Sequence, residues 1–68
     1  MMSYKVETIK EQNAKIMRSV RSYKTEQNAR KAMMKQAIEL GVRKERRHID
    51  GFRITLIHDN FEIETCCG

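Results

Sequence analysis

Few residues in this chain could do covalent or metal chemistry. The candidates for zinc or thiol chemistry are His48, His58, Cys66 and Cys67. Zinc needs its ligands about 2 Å from one point. If the last residues form a β-hairpin, His58 and Cys67 sit at its opposite ends, roughly 16 Å apart. His48 and Cys66 then flank Arg53 on neighbouring strands, roughly 10 Å apart. No metal site within one chain is expected, although one shared across a dimer stays open. Cys66 and Cys67 read as free thiols on a frayed end. A nucleophilic enzyme also needs a base and a group to orient it, and nothing in the spacing links either histidine to a thiol. The only glycines are Gly41, Gly51 and Gly68, so no glycine-rich phosphate loop exists. Neither catalysis nor a cofactor is expected.

The sharpest functional feature is the run Arg43-Lys44-Glu45-Arg46-Arg47-His48. One or two cations there could complement the negative end of a preceding helix. The surplus suits phosphate. Arg53 follows in the chain, and Arg18, Arg21, Lys31 and Lys35 extend the patch if helices present them on one side. The chain holds 14 Lys+Arg against 9 Asp+Glu, a net charge of +5. The basic residues are concentrated between positions 10 and 53, whereas residues 54–68 carry only Asp59, Glu62 and Glu64. Such a polar-sided surface suits a DNA or RNA backbone, or an acidic protein. Tyr4 and Tyr23 are the only plausible stacking residues, which argues against a single-strand stacking platform.

Two functions from different classes follow. The first is a small non-catalytic nucleic-acid-binding module that contacts phosphates through Arg43, Lys44, Arg46, Arg47 and Arg53. The second is an accessory or inhibitor protein, of the phage or plasmid type, docking on an acidic partner surface.

Sixty-eight residues make one small basic domain, 1–68, with a thin core. Two adjacent cysteines cannot staple distant elements. Pairing is a common remedy for such chains, so a homodimer is a candidate arrangement. No apolar run approaches the ~20 residues of a membrane span. No signal peptide is visible, and a cytoplasmic location is expected.

The best-marked element runs from Thr25 to Gly41. Thr25 is a helix cap, and Ala29, Ala32, Met33, Ala37 and Leu40 recur at helical spacing. Gly41 marks the expected end. Before it, Thr8 and Glu11 match a capping box, and Ile9, Ile16, Met17 and Val20 fall on one side. This predicts a first helix over 9–22, with an extended path for 18–24 as the alternative. The pentapeptides Glu11-Gln12-Asn13-Ala14-Lys15 and Glu26-Gln27-Asn28-Ala29-Arg30 then both open a helix. After Gly41 the period changes to two. Asp50-Gly51 and Asp59-Asn60 read as hairpin turns. They put Ile49, Phe52, Ile54, Leu56, Phe61 and Ile63 on one core face, with Leu56 opposite Ile63. The expected architecture is α+β: a two-helix hairpin packed on a three-stranded antiparallel meander. An N-terminal strand through Tyr4 and Val6 can join as a fourth.

Overall fold

The computed structural model describes residues 3–68. Over these residues the chain is α+β, with one helix and four strands. The order is β1 (Tyr4–Gln12), β2 (Lys15–Tyr23), α1 (Glu26–Glu45), β3 (Gly51–His58) and β4 (Phe61–Cys67). The strands form one antiparallel sheet in the order β2-β1-β3-β4. The helix lies across one face, mainly over β3 and β1. The molecule is elongated, at 38 × 19 × 15 Å.

The central pair β1 and β3 supplies the sheet's half of the core. Val6 lies opposite Leu56, and Thr8 opposite Ile54. All four are buried under α1 with Ala29, Met33, Leu40 and Ile49. Tyr4, Tyr23, Ala37, Phe52 and Cys66 pack around this cluster. Thr55 is buried too, although strand alternation points it to the uncovered face.

The expected first helix is instead the hairpin β1–β2. Its tip is Asn13-Ala14, with φ of 51° and 65°. Positive φ at both tip residues is the twist-matched hairpin geometry, which favours Asn and Gly. Alanine gives no sign of it, so the turn is silent in the sequence. The helix signals were local and weak: the Glu11–Lys15 spacing contributes about 0.2–0.5 kcal/mol. Two flanking strands for β1, with Val6 and Thr8 buried, outweigh that. Most of the supposed apolar stripe is not buried: Ile16, Met17 and Val20 are exposed on β2, and Ile9 is half-buried on β1. One member of the repeated pentapeptide therefore forms a hairpin tip, and the other a first helical turn.

α1 begins where expected. Thr25 is extended, and its Oγ1 accepts from the Asn28 N–H at 3.2 Å. The helix does not stop at Gly41. It continues to Glu45, because the ~1 kcal/mol cost of an interior glycine is too small to end a helix whose Leu40 is buried. It closes on Arg47 instead. Arg47 adopts φ 63°; its N–H donates to the Lys44 carbonyl at 3.0 Å, and the His48 N–H donates to the Arg43 carbonyl at 2.8 Å. This is the paired closure of a left-handed helix cap, with arginine where glycine is usual.

Asp50-Gly51 is not a hairpin turn, and residues 46–50 form a loop rather than a strand. Asp50 ends the helix-to-strand loop, and His48 does not pair beside Arg53. Ile49 is buried as expected, but from this loop. Asp59-Asn60 is the predicted turn, with φ of 53° and 64°, and His58 pairs with Phe61. Beyond Ile57–Glu62 a bulge shifts the register, so Leu56 faces Glu64 rather than Ile63. Ile63 is 43% exposed and Phe61 72%; neither belongs to the core. The C-terminal strand is not frayed, since Phe52 and Gly68 exchange reciprocal backbone hydrogen bonds at 3.1 Å.

Candidate nucleic-acid interface

The nine cations singled out in the sequence do not form one patch. Arg43, Lys44, Arg46 and Arg47 are gathered where α1 closes. The loop that carries them is tied down on both sides. Besides the cap, the Asp50 N–H donates to the Glu11 carbonyl at 2.7 Å, and Asp50 Oδ2 accepts from the Asn13 N–H at 3.0 Å. The hairpin tip is thereby docked on the basic loop, which brings Lys15 to the same end of the molecule. Lys15 is not among those nine cations. The link from Asn13 to Asp50 spans 37 residues, and no local pattern announces it.

Lys31 and Lys35 are exposed on α1. With Glu39 and Arg43 they step along the helix by fours, which makes a continuous ridge. Glu39 interrupts the cations of this row and pairs with Arg43 at 3.9 Å, so it offsets one of the three. From Lys31 to Arg43 the ridge is about 18 Å long, at 1.5 Å per residue. It runs into the cluster at the helix end. Arg21 lies on the helix-side face of β2, opposite Val6, and lines a small hollow with Gln36, Ser19 and Tyr23.

Arg18 and Arg53 are on the other face of the sheet. Arg18 is engaged there: its Nε and a terminal nitrogen both contact Glu7 Oε2, at 2.7 and 2.6 Å. That pair borders a broad concavity of about 680 Å³, with Lys5, Val20 and Ile57. Arg53 lies opposite Ile9 and Cys67. The alternation of β3 sets it against Ile54, which is buried under the helix, so Arg53 points away from the ridge.

Arg30 is a structural cation. It bridges Glu64 on β4 at 3.1 Å and Glu26 at 3.6 Å. The hydrogen bond and charge of Glu64, with a smaller contribution from Glu26, raise its pKa above the ordinary arginine value. Next to the cationic ridge runs an apolar one, Met34, Ile38 and Val42, all exposed.

His58 stacks on Tyr4, with ring centroids 4.0 Å apart and 9° between planes. Cys66 is half-buried and Cys67 exposed, both as free thiols. Among the described residues no three His, Cys, Asp or Glu side chains converge as a metal would require. No helix among them is long and apolar enough to cross a membrane. No family model, no curated protein and no solved structure matches this chain.

Proposed function

We propose that this chain is a small non-catalytic nucleic-acid-binding module. Its phosphate contacts come from the ridge Lys31, Lys35 and Arg43 and from Lys44, Arg46 and Arg47 at the helix end. The carrying observation is that Lys31 and Lys35 lie on the same helix row as Arg43, which leads into a cation-rich loop held by the αL cap and the Asn13–Asp50 link. A loop whose backbone is held in this way loses less entropy on meeting a phosphate backbone than a mobile loop does. Arg18 and Arg53 fall outside this reading, since they occupy the opposite face. Arg21 and Lys15 border it.

The test is the salt dependence of binding to a DNA duplex and to RNA. Each phosphate contact on duplex DNA contributes about −0.9 to the slope of log affinity against log salt. Lys35→Gln and Arg46→Gln should each flatten that slope by about one unit, for any base sequence. Both side chains are exposed, so the melting curve should not move. If the double variant binds as the parent does, the ridge is a solvated surface and the reading fails.

A second reading, docking on an acidic protein, is favoured by the neighbouring ridge of Met34, Ile38 and Val42. Exposed apolar rows of that kind mark protein contacts more than phosphate contacts. An affinity pull-down with and without nuclease separates the two: nuclease removes the captured material in the first case only.

A further inference from the structure

The outer strands of a sheet present unpaired backbone donors and acceptors. Proteins commonly protect such edges with charge, proline or a bulge. Here the two edges differ in sign. β2 carries Lys15, Arg18 and Arg21 and no acid; β4 carries Glu62 and Glu64 and no base. Arg18 is already paired with Glu7 and Glu64 with Arg30, which leaves Lys15 and Arg21 on one edge and Glu62 on the other. Neither pairs with a further strand, both are apolar in part, and β4 carries a bulge at Ile63. Ile16, Met17 and Val20 are exposed on β2, as are Phe61 and Ile63 on β4.

The topology adds a second condition. Every neighbouring pair in β2-β1-β3-β4 is antiparallel. With four strands, the two outer ones therefore run in opposite directions. A second copy shifted sideways by one sheet width presents its β2 antiparallel to the β4 of the first. The sheet then continues without a break in its alternation, and both helices stay on the same face.

We propose that this protein self-associates head to tail through its sheet edges, with the basic β2 of one copy pairing with the acidic β4 of the next. Like-with-like pairing is disfavoured at both edges. β2 against β2 brings Lys15 and Arg21 against the same cations of the other copy, and β4 against β4 brings carboxylate against carboxylate, where facing like charges are destabilising. The head-to-tail contact is heterologous, so each added copy leaves one edge of each sign free. Strand twist turns the growing sheet into a helical array rather than a flat one. This assembly rests on the edges and not on the ridge of α1, so it is independent of the nucleic-acid reading.

Sedimentation velocity on the whole chain and two variants tests it. Met17→Glu with Arg21→Glu cancels the positive charge of the β2 edge. Glu62→Lys with Ile63→Lys reverses the β4 edge. All four positions are exposed, and a melting curve for each variant verifies the fold. The parent's weight-average mass should rise with concentration past that of a dimer, and added salt should lower it. Each variant alone should stay monomeric at the concentration where the parent associates. An equimolar mixture of the two should associate again, because each supplies the edge the other lacks. A monomeric parent overturns the proposal. Undiminished association of either variant alone does so too, since it means like edges or the helix carry the contact. Failure of the mixture to recover also overturns it.

Discussion

Arg47 shows how one side chain serves two demands. Its left-handed backbone closes α1, and a non-glycine residue pays about 1–2 kcal/mol for that conformation. Arg47→Gly removes this strain but enlarges the unfolded ensemble. The net expectation is a stabilisation of about 0.5–1 kcal/mol, read as a higher Tm. Phosphate binding should weaken in the same variant, with a flatter salt slope. A lower Tm would mean that the arginine side chain holds the cap through contacts beyond the backbone. The two thiols separate in the same local way. Cys67 is exposed, whereas Cys66 packs against the core on a strand paired through Gly68. Native labelling should modify Cys67 quickly and Cys66 only slowly. Equal, fast rates would show that the end of β4 opens freely.

At the scale of elements, the bulge in β4 decides which side chains matter. A two-residue turn with regular pairing would place Ile63 over the core beside Leu56. The register shift gives that place to Glu64, which reaches Arg30 on the helix. Leu56→Ala should therefore destabilise by about 2–4 kcal/mol, as buried large-to-small changes do. Ile63→Ala should cost less than about 1 kcal/mol, because the side chain is half in water already. Urea melts of the two variants measure the contrast, and similar losses would place Ile63 in the core after all. The same scale explains the misread N-terminal half. Its helical signals lay within one stretch, whereas the hydrogen bonds that make β1 a strand come from both β2 and β3.

At the scale of the whole molecule, stability rests on a few contacts. The buried apolar set is Val6, Ala29, Met33, Leu40, Ile49, Ile54 and Leu56. At about 0.05–0.15 kcal/mol per residue, a chain of this length holds roughly 3–10 kcal/mol in total, so losing Leu56 alone removes a large share. Much of the layout was legible from local chemistry. The α+β class, the Thr25 cap, the Asp59-Asn60 turn and the alternation of β3 are each set by neighbouring residues. The basic run before β3 was legible as a composition, but not as a surface. Which cations share a face was decided by strand pairing, since β2 carries Arg21 to the helix side and Arg18 to the other. The first hairpin, the true end of α1 and the bulge were also decided by tertiary structure. In each the local preference was small: an alanine at a turn, a glycine in a helix, an isoleucine beside a glutamate. Burial of Val6, Leu40 and Leu56 in one shared core outweighs preferences of that size.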